Sequence, residues 1–152
     1  MKGTNMERLN IKKVRENAVL PVRATSGSAG YDLHACIDEP AILKAHSRIV
    51  IPTGLAIAIE DKNIAAFVFA RSGLGIKHGI APSNCVGVID SDYRGECMVG
   101  LTNHSDDDYV IQPGERVAQM IFMPVYTPVL CEVDELIETV RGEGGFGSTG
   151  KG

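Results

Sequence analysis

The segment that most clearly indicates the fold is Arg116-Val117-Ala118-Gln119-Met120-Ile121-Phe122. Val117, Gln119 and Ile121 alternate with Ala118, Met120 and Phe122, so successive side chains point to opposite faces, as they do in a β-strand. The same alternation recurs in three further segments, Leu9–Ile11, Leu55–Ile59 and Val86–Val88. No long segment keeps the period of an amphipathic helix.

Turn-forming residues separate these segments at fairly regular intervals, as at Ser26–Ser28, Pro52–Gly54 and Pro113–Gly114. Many short strands joined by glycine and proline turns predict an all-β sandwich or barrel. Only two segments are candidates for helix, Ser72–Ile76 and Asp134–Thr139.

The length of 152 residues and the mixed charge, 15 Lys+Arg against 19 Asp+Glu, predict one domain without a nucleic-acid partner. The chain has no long apolar run, and its first ten residues lack the apolar core of a signal peptide. We therefore expect a cytoplasmic protein that does not bind membranes.

Ile64–Phe69 is apolar on both faces, which predicts a strand buried on both sides and hints that another subunit covers one face.

The four cysteines, Cys36, Cys85, Cys97 and Cys131, are widely scattered. Their spacing argues against zinc, and a core of this size needs no disulfides. We expect all of them to be buried thiols.

Carboxylates follow an apolar strand in Gly87–Glu96. Asp90 comes directly after the apolar run, so we expect it at the strand end, partly desolvated and placed to act as a general base on water. The alternative is that Asp90, Ser91 and Asp92 are turn residues that bond their own backbone.

A guanidinium, a hydroxyl and glycines follow a second apolar strand. Arg71, Ser72 and Gly73 together suit an anion such as phosphate, although an arginine that simply reaches solvent is equally compatible.

Gln119 and Asp32 are polar residues in apolar segments. Each is either satisfied by an internal partner or kept for a ligand.

The glycine-rich end, Arg141–Gly152, contains spacings found in two phosphate-binding loops, but both loops work only where a helix follows. Gly152 stands where such a loop has Ser or Thr, so we expect neither motif. A mobile arm remains, in which Arg141 suits phosphate and Phe146 suits a flat ring, so the arm is either a flap over a nucleotide or a disordered tail.

Five of these segments together resemble the trimeric dUTPase family, in order and spacing: Ala29–Ala35, Ala70–Gly75, Gly87–Glu96, Arg116–Phe122 and Arg141–Gly150. The resemblance covers nearly the whole chain after the first two dozen residues. It implies a jelly-roll-like β-barrel over residues 1–140, a flap over 141–152 within the same domain, and a homotrimer. The implied reaction is hydrolysis of dUTP to dUMP and pyrophosphate, which supplies dUMP and keeps uracil out of DNA.

The resemblance also implies roles for single residues. Asp90 activates the water that attacks the α-phosphorus, Mg²⁺ binds the triphosphate, and Asp32 contacts that ion through water. The implied substrate contacts are Arg71, Ser72, Gly73, Asn84, Gly87, Val88, Ile89, Tyr93, Met98, Gln119, Arg141, Phe146, Gly147 and Ser148.

The implied site is shared between subunits. One subunit supplies the uracil-binding hairpin Asn84–Met98, a second supplies Asp32, Arg71–Gly73 and Gln119, and the third supplies the arm. Tyr93 packs on the sugar and excludes a 2′-hydroxyl, and Phe146 stacks over uracil.

Two alternatives stay open. The first is dCTP deaminase, which is similar in fold and assembly to the dUTPases and attacks the cytosine ring instead of phosphorus. The second is a barrel that binds a nucleotide without turnover. The turn Asp90–Tyr93 and the arm with Phe146 favour the dUTPase.

Overall fold

The computed structural model of the chain describes residues 8–144. Ten strands and one helix make up its regular structure: β1 Asn10–Lys13, β2 Tyr31–His34, β3 Ala41–Leu43, β4 Arg48–Ala58, β5 Ile64–Phe69, α1 Ser72–His78, β6 Ile80–Pro82, β7 Gly87–Ile89, β8 Glu96–Asn103, β9 Tyr109–Ile111 and β10 Arg116–Pro124. The predicted all-β class is confirmed.

Two four-stranded antiparallel sheets contribute the core, one in the order β1-β4-β8-β6 and the other in the order β2-β10-β5-β7, and β3 and β9 form a small additional pair. One buried cluster draws on both large sheets, with Ile51 and Leu101 from the first and Leu33 and Met120 from the second, each at most 1% exposed. Burial of such side chains stabilises the fold by roughly 1.5–3 kcal/mol each. The double-sheet arrangement agrees with the predicted jelly-roll-like barrel.

β5 lies between β10 and β7 in its sheet. Its residues Ile64, Ala65, Ala66 and Val68 are buried. A central strand with so few solvent-facing positions explains why Ile64–Phe69 is apolar on both faces.

The predicted turn at Ser72–Ile76 is a helix, α1, which continues to His78. It ends at Gly79, whose φ of 65° is left-handed and whose N–H bonds the carbonyls of Gly75 and Leu74. The helix predicted at Asp134–Thr139 is wrong, since this segment has no helical turn and is exposed. Six residues without a packing partner do not offset the cost of starting a helix.

The prediction of four buried thiols is right for Cys36 and Cys97 and wrong for Cys85 and Cys131, which are exposed. Cys85 lies in the turn before β7 with a left-handed φ of 63°, and Cys131 lies in the exposed segment after β10.

In the described part of the chain, no helix has the length and apolar character needed to cross a membrane.

Candidate active site

A cavity of about 250 Å³ opens between β7 and β8, and we call it the β7–β8 cavity. It contains most of the residues to which the family resemblance gives roles in base binding, sugar binding and catalysis, namely Asn84, Gly87, Val88, Ile89, Asp90, Tyr93 and Met98. Its lining is completed by Val68, Pro82, Glu96, Cys97, Val99 and Gly100.

The two strands beside this cavity belong to different sheets. β7 pairs with β5, whereas β8 pairs with β4 and β6, so the predicted hairpin is a connection between two sheets rather than a paired ribbon. Because the strands diverge, space opens between them. β7 is also the last strand of its sheet, so its outer backbone groups are available to pair with a ligand.

Gly87 lets β7 pair closely with its neighbour in the same sheet, β5. A Cβ added at Gly87 would stand 3.1 Å from the Cβ of Val68 and 3.6 Å from the side-chain nitrogen of Asn84. This crowding makes the backbone, rather than a side chain, the surface that β7 presents at this position.

Asp90 directly follows β7, as predicted, and its carbonyl accepts a hydrogen bond of 3.2 Å from the N–H of Tyr93. The expected partial desolvation is not found among residues 8–144, where Asp90 is exposed. Its carboxylate is thus open to water there.

The turn after Asp90 is tied down by hydrogen bonds of its own. Arg94 donates through Nη1 to the carbonyls of Ser91, at 2.7 Å, and Tyr93, at 2.9 Å. The Tyr93 hydroxyl donates to the carbonyl of Glu96 at 3.1 Å. These bonds hold the Tyr93 ring over the turn at one end of the cavity.

An ion pair anchors the start of β8. Arg15 forms a two-pronged contact with Glu96, Nε to Oε1 at 2.7 Å and Nη2 to Oε2 at 3.0 Å, and the N–H of Gly54 donates to Oε1 at 2.8 Å. The hydrogen bond from Arg15 is the main reason that the pKa of Glu96 is lowered. Beside it, burial raises the pKa of Cys97 to about 11, so this thiol stays protonated.

A second group of polar residues is carried by the other three strands of the sheet that contains β7, with Asp32 on β2, Arg116 on β10 and Arg71 just after β5. Asp32 accepts from Arg71 Nε at 2.9 Å and from Arg116 Nη1 at 3.1 Å, and Arg71 Nη1 also donates to the carbonyl of Arg116 at 3.0 Å. We call Asp32, Arg71 and Arg116 the arginine cluster. With Ser72 and Gln119 it lines a cavity of about 310 Å³.

Arg116 has no role predicted from the sequence. In a regular strand Arg116 and Gln119 would point to opposite faces of the sheet. A bulge between Arg116 and Ala118 changes the register, so that Arg116 pairs with His34 and Gln119 pairs with Asp32. His34 and Asp32 are two residues apart on β2 and therefore share a face. The bulge thus brings both β10 residues to Asp32, and no signal in the sequence marks it.

Gln119 is satisfied internally and also faces the second cavity. Its Nε2 donates to the carbonyl of Ala70 at 3.0 Å, just before Arg71. A Cβ added at Gly30 would stand 2.6 Å from Gln119 Oε1, so glycine at position 30 makes room for this amide. Both readings of Gln119, internal partner and ligand contact, are compatible with this position.

His34 adds a neutral ring next to the arginine cluster. Burial lowers its pKa, and Arg116 and Arg71 lower it further against the opposing effect of Asp32. Its Nδ1 is buried without a hydrogen-bond partner in the described part of the chain.

The β7–β8 cavity and the arginine cluster are separate in the described part of the chain. Asp90 follows β7, one edge of the four-stranded sheet, whereas Asp32 lies on β2, the opposite edge, three strand spacings or about 14 Å away. Arg71 follows β5, which runs antiparallel to β7, so Arg71 and Asp90 lie at opposite ends of that strand pair. The two cavities share no lining residue. Gly73 lies in the first turn of α1, with open space around it.

Of the predicted arm, residues 141–144 lie within the described part of the chain. Arg141 lies in an exposed turn and donates through Nε to the carbonyl of Gly144 at 2.7 Å. Phe146, Gly147 and Ser148 lie outside the described residues.

A family model described as dUTPase matches residues 16–150. The chain belongs to the dUTPase family. Among curated relatives, the deoxyuridine 5′-triphosphate nucleotidohydrolases of Enterobacter sp. (strain 638) and Shigella flexneri are each 49% identical over 150 residues, which is 96% of this chain and 99% of theirs. The predicted family is therefore confirmed.

Solved dUTPase structures have the same fold. A dUTPase variant of Staphylococcus bacteriophage 80alpha with dUpNHpp superimposes with a TM-score of 0.86 at 28% identity, covering 95% of this chain and 99% of that one. A variant dUTPase from phage phi11 of S. aureus, described with a structural Mg(II) ion, gives 0.77 at 24% identity, covering 86% and 99%.

Proposed function

We propose that this dUTPase-family chain hydrolyses dUTP to dUMP and pyrophosphate in the cytoplasm, supplying dUMP and keeping uracil out of DNA. The observation that carries the proposal is the β7–β8 cavity, where the predicted base, sugar and catalytic residues Asn84, Val88, Asp90, Tyr93 and Met98 line one space. The family match and the names of the relatives confirm the predicted enzyme class, dUTP diphosphatase.

Uracil binds along the free edge of β7. It offers O4 as an acceptor and N3–H as a donor, which backbone N–H and C=O groups match in the way that strands pair. Because Gly87 has no side chain, base and backbone can approach closely there, which leaves no room for the methyl group of thymine. Cytosine presents an amino group in place of O4 and therefore mismatches the same backbone groups.

Asp90 is the general base. Its exposed carboxylate at the end of β7 takes a proton from water as the water oxygen bonds to the α-phosphorus. The bond from the α-phosphorus to the bridging oxygen breaks, and pyrophosphate leaves. Closure by substrate and a partner subunit supplies the desolvation that the single chain lacks.

The arginine cluster and its neighbours hold the phosphates. Arg71 uses Nε and Nη1 inside the protein, and its Nη2 has no hydrogen-bond partner among residues 8–144, so it is available to an oxyanion. Ser72 and Gln119 add neutral donors to the same cavity. Fixed donors of this kind favour the charge of the transition state.

The chain's own residues fit Mg²⁺ that arrives on the triphosphate. Both oxygens of Asp32 already accept from arginines, and residues 8–144 contain no cluster of three or more metal-binding side chains. A carboxylate oxygen keeps a second lone pair, so Asp32 can still accept from a water on the ion. When bound, Mg²⁺ neutralises phosphate charge.

The site is shared within a homotrimer. Asp90 lies on the opposite edge of the sheet from Asp32 and at the opposite end of the β5–β7 pair from Arg71, so a complete site needs the β7–β8 cavity of one subunit and the arginine cluster of another. After β10, the chain exposes a row of apolar side chains, with Tyr126 95%, Leu130 91% and Ile137 95% exposed. Such a segment needs a neighbour to cover it. It leads to the flap, residues 141–152, which closes a neighbour's site through Arg141 and Phe146.

The reaction is tested by incubating the protein with Mg²⁺ and, separately, dUTP, dCTP, dTTP and UTP. We expect dUMP and pyrophosphate from dUTP, with little turnover of the others. Ammonia from dCTP would instead identify a deaminase, and binding of dUTP without turnover would identify a non-catalytic barrel.

Sharing of the site is tested by mixing two inactive variants, Asp90→Asn and Arg71→Ala, before assembly. If one subunit supplies Asp90 and another supplies Arg71, random mixed trimers regain about one complete site in four. Each variant assembled alone is the control. A mixture no more active than its components would place the whole site within one chain.

A further inference from the structure

Gly95 lies directly against the ring of Tyr93. A Cβ added at Gly95 would stand 2.6 Å from Cζ and 3.1 Å from Cε2 of that ring, and closer still to its hydroxyl oxygen. Non-bonded carbon atoms prefer separations of about 3.5–4.0 Å. The ring therefore occupies this position only because residue 95 has no side chain.

An added methyl group would move the ring rather than the backbone. Gly95 is not among the described glycines with positive φ, so alanine is compatible with its backbone conformation. Tyr93 is 46% exposed, and the described hydrogen bond of its hydroxyl is the one of 3.1 Å to Glu96. The ring can swing toward solvent at low cost to the fold.

We propose that Gly95 is a specificity-determining residue. Because it has no side chain, the Tyr93 ring can pack directly against residue 95, and this packing fixes the position of the ring relative to the sugar of the substrate. This inference rests on the proposed function, in which Tyr93 is the wall that excludes a 2′-hydroxyl. Gly95 acts through Tyr93 and is a positioning residue, since it does not line the β7–β8 cavity itself.

The consequence for selectivity follows from steric fit. A ring displaced by one methyl group no longer stands where it excludes the extra hydroxyl of UTP. When two substrates differ by one small group that a pocket excludes, their kcat/KM values differ by about 10-fold to 200-fold. Gly95→Ala is therefore expected to reduce the preference for dUTP over UTP by about tenfold or more.

The test compares kcat/KM for dUTP and UTP in the wild type, Gly95→Ala, Tyr93→Ala and the double variant. If Gly95 acts through the ring, the two changes are not additive, and Gly95→Ala has no effect once Tyr93 is alanine. The Tyr93→Ala background also removes the clash between the new methyl group and the ring, so the double variant gives a result even if Gly95→Ala alone folds poorly. A crystal structure of Gly95→Ala should show the ring displaced.

Gly75→Ala is the matched control, because its added Cβ would meet only the carbonyl of Ile80, at 3.8 Å, and its dUTP/UTP ratio should equal that of the wild type. An unchanged ratio in a folded Gly95→Ala variant, or additive effects in the double variant, would overturn the inference. A wild type that leaves dUTP unhydrolysed would overturn the proposed function instead.

Discussion

The β7–β8 cavity and the arginine cluster are built in opposite ways. Most of the cavity lining comes from one continuous segment, from Asn84 to Gly100, and uses backbone groups and uncharged side chains with few exceptions. The arginine cluster joins three distant parts of the chain, at Asp32, Arg71 and Arg116, through charge. A flat neutral base can be read by local backbone, whereas a triphosphate needs cations held in place by an anion.

The largest expected effect is on the catalytic step in the cavity. Asp90→Asn should lower kcat by about 10²–10⁴-fold with KM largely kept, because an amide cannot take the proton from water. Steady-state kinetics with dUTP measures this.

Asp92→Asn is the matched control for that change, since it alters a carboxylate in the same turn. If Asp90→Asn keeps most of its kcat, or if Asp92→Asn loses as much, the base lies elsewhere and the division between the two regions fails.

A smaller loss is expected when the anion of the arginine cluster is removed. Asp32→Asn leaves Arg71 and Arg116 facing each other without a carboxylate, and we expect kcat/KM to fall by about 10-fold to 100-fold, mainly through KM. The measurement is kcat/KM at several Mg²⁺ concentrations. Because the defect lies in the guanidinium positions, excess Mg²⁺ should not restore it. Full recovery at high Mg²⁺ would assign Asp32 chiefly to the ion.

Crowding around Gln119 should have a more modest effect. In Gly30→Ala the new Cβ would overlap Gln119 Oε1 and displace this amide, so we expect kcat/KM for dUTP to fall by about tenfold. Gly27→Ala, whose added Cβ meets nothing within 4 Å, is the control. Equal activity of the two variants would show that the pose of Gln119 does not matter for phosphate binding.

The smallest effect is expected at the Arg15–Glu96 ion pair beside the cavity. Glu96→Gln weakens the contact with Arg15, which is largely exposed, and should lower Tm by only about 2 °C at neutral pH. The folded-state pKa of Glu96 lies below its ordinary value of 4.5, so the stabilisation is present above that pH and is lost as pH falls further. Thermal unfolding from pH 7 to pH 3 should show the two proteins converging. A difference that grows in acid would contradict this assignment.

The contrast also explains which parts of the site could be predicted. The cavity residues from Asn84 to Met98 are close in the sequence, so a short pattern contains them all. Asp32 and Gln119 were found as polar residues in apolar segments, and Arg71 was found as a cation after an apolar strand, but the partners of these residues were not predicted. Arg116 was missed because strict alternation puts it on the wrong face, and only the bulge in β10 brings it to Asp32. The helix predicted at Asp134–Thr139 failed because this segment is exposed and nothing among residues 8–144 buries it.

The sequence by itself determined the all-β class, the strand that places Asp90 at its end and the family, because alternation, turn residues and motif spacing are local properties. Only the tertiary structure decided that β7 and β8 enter different sheets, that two arginines share Asp32, and that the β7–β8 cavity and the arginine cluster have no lining residue in common. These features depend on contacts between residues far apart in the chain, and their geometry is fixed only when the sheets pair and pack.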